Sequence, residues 1–126
     1  MARRAASLGA SVIALKRTPP NPGDAALEAV AGGGSLVASI NLVHGADGLD
    51  RVLSESDVLI LAAPETDLTR GMIDAVAIER MKPAALLINV ARGKLVVESA
   101  LVGALREGRL RGAGLDVFAK EPLAAD

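Results

Sequence analysis

Between Leu86 and Leu123 the chain reads LLINVARGKLVVESALVGALREGRLRGAGLDVFAKEPL. An apolar run leads into an Arg-Gly turn, then an amphipathic segment, a second apolar run ending at Asp116, and a Glu-Pro pair. No other stretch narrows the possible folds as much. Its apolar runs are continuous instead of alternating, the pattern of parallel strands that are joined by helices and covered on both faces. In an open parallel sheet, ligands bind beyond the carboxyl ends of the strands. Arg92, Asp116 and Glu121 each stand just past an apolar run, so they are the first candidates for a site.

The same grammar runs upstream. Met1 to Leu8, rich in Ala and Arg, predicts a helix stopped by Gly9. Ser11 to Leu15 (SVIAL) predicts a buried strand. Lys16 to Gly23 (KRTPPNPG) predicts a loop, with Arg17 to Gly23 the one linker-like segment. Asp24 to Ala31 predicts a short helix capped by Asp24 and ended by Gly32-Gly33-Gly34. Leu36 to His44 is ambiguous and is read as an irregular edge strand. Gly48 to Ser54 predicts a helix with Leu49, Val52 and Leu53 on one face.

Asp57 to Ala62 (DVLILA) is the clearest strand of the first half, stopped by Pro64. Met72 to Met81 predicts a helix with Asp74 near its start and Pro83 at its end. Ala85 to Asn89 predicts a strand. Glu98 to Glu107 predicts a helix with a stripe of Leu101, Ala104 and Leu105, stopped by Gly108. Gly112 to Asp116 predicts the last strand. The order α-β-α-β-α-β-α-β predicts an α/β fold, a parallel sheet with helices on both faces.

Composition removes several function classes. The 126 residues make one domain or part of one. A net charge of −1 leaves no electrostatic footprint for nucleic acid, and Phe118, the one aromatic residue, offers no stacking platform for bases. The absence of cysteine rules out disulfides and thiol chemistry and suits a reducing compartment; with a single histidine it also argues against a metal site. No apolar run approaches membrane-spanning length. The N-terminal MARRAASLGASVIALKR imitates a secretion signal, but its apolar patch is about five residues long and Lys16-Arg17 close it. The expectation is a cytoplasmic globular piece with no membrane or nucleic-acid partner.

Each polar candidate has a plain reading and a chemical one. Arg92 closes a βα loop, where an arginine is ordinarily solvated; its fork can also hold a carboxylate through two parallel hydrogen bonds, which lysine cannot copy. Glu121 in a Glu-Pro pair is an ordinary loop end, or a carboxylate that holds a protonated imidazole and so improves a general acid. Asp116 is a helix cap, a polar strand end, or a contact to a cofactor.

LINVARGKLVVESALVGALREGRLRGAGLDVFAKEPL resembles the hallmark segment of the D-isomer-specific 2-hydroxyacid dehydrogenases. The resemblance extends upstream through DVLILAAPETDLTRGMIDAVAIERMK and, more loosely, to Met1. It implies a Rossmann-like NAD(P)-binding domain in which Arg92 binds the substrate carboxylate and polarises the carbonyl. It also implies that Glu121 assists a catalytic histidine and that Asp116 contacts the nicotinamide half. Val90 and Ala91, like Ala63 and Pro64, would touch the cofactor by backbone, and Thr69 would make a polar contact to it. The implied substrate is a small 2-oxo or 2-hydroxy acid, and the implied assembly is a homodimer paired through this domain.

The chain departs from the family pattern at four places. It has no Gly-x-Gly-x-x-Gly turn, and Met1 falls inside the helix that should follow that turn, so the first strand is missing as well. The acid-base histidine, expected downstream of Glu-Pro, is missing; His44 stands upstream and reads as a loop or edge-strand residue. Where NAD users place an acid on the ribose hydroxyls, this chain has Lys16-Arg17-Thr18. NADP(H) is therefore modestly favoured over NAD(H), the plain alternative being a solvated basic loop. Val97 replaces a polar residue at the start of a helix, at a cost of about 1 kcal/mol. The reading is a partial NAD(P)-binding domain, residues 1–126, of a dehydrogenase, inactive alone. The alternative is a non-catalytic dinucleotide-binding or co-repressor-like interaction module.

Overall fold

The structure, a computed structural model, describes residues 2–18 and 40–122. The expected helix over Asp24–Ala31, its glycine stop and the rest of the proline loop lie outside the described residues. The chain divides into two compact units, Met1–Val52 and Leu53–Asp126.

In the first unit, α1 (Ala2–Ser7) precedes β1 (Val12–Lys16), and β2 (Ile40–His44) leads directly into α2 (Gly45–Glu55). Gly9 ends α1 with a positive φ of 86°, as its place in the sequence predicts. β1 and β2 are parallel and pair along their full lengths, from Val12–Ile40 to Lys16–His44. The irregular edge strand expected up to His44 is thus a regular strand over its last five residues. Asn41 and His44 interrupt its apolar pattern, so periodicity misses a regularity that pairing with β1 supplies. Ala6 and Ile40 form the buried centre here, with Ala2, Val12, Ala14 and Leu42 packed against them.

The second unit contains β3 (Val58–Leu61), α3 (Ala75–Arg80), β4 (Leu86–Asn89), α4 (Glu98–Arg106) and β5 (Gly112–Leu115). Its strands pair in the order β3-β4-β5, all parallel. Leu59, Leu61, Leu87 and Asn89 are buried, whereas Val58 and Ile60 on the other face of β3 are 43% and 38% exposed. The helices add Ala77, Ile78, Leu101 and Ala104 to the core. Leu105, expected on the buried stripe of α4, lies at its margin and is exposed.

The helix expected over Met72–Met81 is shorter. Gly71 and Ile73 instead donate their N–H groups to Lys94 and Leu95, and Val97 donates to Ile73, so this stretch is extended and bridges Ile73 to Val96. Asp74 then caps α3, its side chain accepting the Ala77 N–H at 2.8 Å. A 3-10 turn at Gly93–Leu95 was not expected from the sequence. Among the described residues no helix is long and apolar enough to cross a membrane.

Candidate active site

The three strands of the second unit end level with one another, because Leu61, Asn89 and Leu115 are lateral partners. Pairing runs one step further: Val90 N–H donates to Leu61 C=O at 3.4 Å, and Asp116 N–H to Asn89 C=O at 3.0 Å. Ala63 and Pro64, the Val90–Arg92 turn, and the segment from Asp116 to Glu121 therefore all leave the sheet at its carboxyl edge. That is the edge where parallel sheets bind ligands.

The turn that carries Arg92 is built by Asn89, which is 1% exposed. Its Oδ1 accepts the Ala91 N–H at 3.1 Å and its Nδ2 donates to the Arg92 C=O at 2.9 Å. The same carbonyl accepts the Leu95 N–H at 3.2 Å, which starts the 3-10 turn. The Arg92 guanidinium leans on its own turn, Nη1 donating to Ala91 C=O at 2.7 Å.

The loop that carries Glu121 is pressed against this turn. A Cβ on Gly93 would lie 1.9 Å from the Phe118 carbonyl carbon and 2.3 Å from the Ala119 nitrogen, so only glycine allows the approach. Glu98, the first residue of α4, accepts the Ala119 N–H at 2.7 Å, and Glu121 accepts the Phe118 N–H at 2.8 Å. The two consecutive peptide units on either side of the Phe118 Cα are thereby held by two carboxylates and a glycine.

Between these loops lies a cavity of about 390 Å³, lined by Arg92, Gly93 and Lys94 on one side, Val117–Ala119 and Glu121 on another, and Glu65. The wall carries two carboxylates and two cations: Glu65 is paired with Arg70 at 2.9 Å, Glu121 accepts an amide N–H, and Arg92 and Lys94 are the groups that can receive an anion. Its size and charge suit a small carboxylic acid.

Of the residues singled out in the sequence, Arg92 and Glu121 line this cavity. Ala63, Pro64, Val90, Ala91 and Asp116 share its edge of the sheet. The Thr69 hydroxyl donates to Pro64 C=O at 2.8 Å and accepts the Thr66 N–H at 2.8 Å, so it shapes the loop after β3. Lys16 ends β1 as the register partner of His44, followed by exposed Arg17 and Thr18; these belong to the first unit. His44 is exposed at the end of β2.

Asn89, Glu98 and Lys94 did not stand out in the sequence. The signal for Asn89 was available, as the one polar residue of the run LLIN. Glu98 had none, because an acid opening a helix is commonplace.

The family described as D-isomer specific 2-hydroxyacid dehydrogenase, NAD binding domain, matches residues 1–126. (S)-sulfolactate dehydrogenase of Chromohalobacter salexigens is 41% identical over all 126 residues, which span 36% of that protein. Glyoxylate reductase of Thermococcus onnurineus is 54% identical over 74 residues, 59% of this chain and 22% of that one. Among solved structures, a D-isomer specific 2-hydroxyacid dehydrogenase from Xanthobacter autotrophicus Py2, in complex with NADPH and MES, superposes with a TM-score of 0.82 at 33% identity. That likeness covers 98% of this chain and 35% of the other. The chain thus spans about a third or less of the length of these relatives. The parallel α/β architecture is the Rossmann-like one expected. Matched along its whole length, the chain belongs to the D-isomer specific 2-hydroxyacid dehydrogenase family.

Proposed function

We propose that these 126 residues are part of the NAD(P)-binding domain of a cytoplasmic, homodimeric D-2-hydroxyacid dehydrogenase that interconverts small 2-oxo and 2-hydroxy acids. The observation that carries this reading is the meeting of Arg92 and Glu121, from loops after two different strands, on one cavity. A non-catalytic module needs neither. The names of the relatives, glyoxylate reductase and sulfolactate dehydrogenase, point to the same substrate class.

A bound nicotinamide would supply the hydride. Arg92 takes the substrate carboxylate on its fork, which orients C2 and polarises the carbonyl. Glu121 turns its carboxylate to an imidazole and favours the protonated form, which delivers a proton to the carbonyl oxygen as reduction proceeds. The edge fits a nicotinamide-ribose end: Val90 is 43% exposed, and the next register position holds Asp116, whose carboxylate has no partner among the described residues. Ala63, Pro64 and Ala91 complete that wall, and Thr69 keeps its loop in shape. Lys16, Arg17 and Thr18 favour a 2′-phosphate and so NADP(H), in keeping with the NADPH of the Xanthobacter structure. No residue here is assigned to the pyrophosphate.

The test is an NMR titration of the isotope-labelled chain with oxamate, a non-reducible isostere of a 2-oxo acid. The amides of Arg92, Gly93 and Phe118 should shift saturably; Arg92→Ala should abolish the response, and Arg92→Lys should weaken it about tenfold. An equal response to a neutral amide would overturn the reading. Residues 53–126 contain no histidine to sit beside Glu121. The chain alone should therefore show no turnover of glyoxylate or hydroxypyruvate with NADPH, and enzyme-like rates would refute that expectation.

A further inference from the structure

We infer that Asn89 is the positioning residue of Arg92, and that affinity for the substrate carboxylate depends on this buried amide. The inference rests on the reading of Arg92 given above. Asn89 is the one buried polar residue among those described, in line with fully buried Leu87 on the same face of β4. A leucine would fill such a position and gain burial. An amide there is costly unless both of its ends are bonded.

Both ends are bonded, and both to the turn. The Ala91 N–H and the Arg92 C=O, the groups that bracket the root of the arginine, are held at 3.1 and 2.9 Å. The second of these also launches the 3-10 turn through Leu95. The Cα of Arg92 is thus fixed before any ligand arrives, and only the outer side chain remains to be ordered on binding. Preorganisation of this kind appears as affinity. Aspartate offers acceptors alone, and leucine offers neither bond. Asparagine meets both needs of the turn in one buried side chain.

The experiment is a double-mutant cycle on the full chain, read by oxamate titration. Asn89→Asp should weaken oxamate about tenfold or more while leaving the chain folded. Added to Arg92→Lys, whose weakened binding is still measurable, it should cause little further loss, because a residue acting only through the Arg92 fork has little left to position. Wild-type affinity in Asn89→Asp, or full additivity with Arg92→Lys, overturns the inference. If the wild-type chain binds no oxamate, the reading of Arg92 falls, and amide exchange then decides the positioning claim. In Asn89→Leu the Ala91 amide should exchange at least tenfold faster while the Ile73 and Leu87 amides stay protected. Unchanged Ala91 exchange overturns it.

Discussion

Gly93 has no room for a side chain. A methyl group there would overlap the Phe118 carbonyl, a backbone group that cannot rotate away, so the loop would have to shift bodily. Gly93→Ala should therefore cost at least the ~1–3 kcal/mol of an overpacked core, seen as a lower midpoint in urea unfolding. The same change should loosen Phe118 and Ala119, whose N–H groups rest on Glu121 and Glu98. The Arg-Gly pair was legible in the sequence as a turn after a strand. That its glycine is a contact surface for a loop some two dozen residues later was not, because spacing carries no information about which loops touch. Asn89 and Glu98 escaped for a related reason: both act on backbone amides, which have no sequence signature.

Among the elements, α3 and α4 form a natural pair of cases. α3 has a side-chain cap in Asp74; α4 is preceded at its cap position by Val97, whose extended backbone is suited to a cap but whose side chain makes no cap bond. Asp74→Ala should lose about 1 kcal/mol, and Val97→Asp should gain about the same, each measured as a shift in chemical unfolding. The strands of the second unit were legible to within a residue or so, since short β-branched and leucine runs between breakers have few alternatives. The start of α3 was not: Met72 and Ile73 have a helical pattern, but the Met72 N–H turns back to Thr69 C=O and Ile73 is drawn into pairing with Leu95–Val97. The far end of α3 likewise depends on a distant residue. Arg109 donates to the Glu79 C=O at 2.7 Å and to the Met81 C=O, closing the helix from the segment that precedes β5.

For the molecule as a whole, a net charge of −1 conceals a pair of cations, Arg92 and Lys94, on one wall of the cavity. Attraction of an anion is then a short-range property of the cavity, and both cations are exposed enough for salt to screen them. Oxamate affinity should fall about threefold from low to physiological ionic strength, and Lys94→Ala should flatten that dependence. The parallel arrangement of the second unit was legible, because continuous apolar runs separated by helical segments allow little else. The partition of the described strands into sheets of two and three was not, since it depends on which strands find partners. Phe118, already met as part of the cavity wall, has an optical consequence. The chain has no tryptophan or tyrosine, so light that normally excites a protein's own fluorescence passes through it. A reduced nicotinamide would be the brightest fluorophore in solution, free of background, and the ring of Phe118 gives the cavity a single aromatic reporter, to be told apart only from the imidazole of His44.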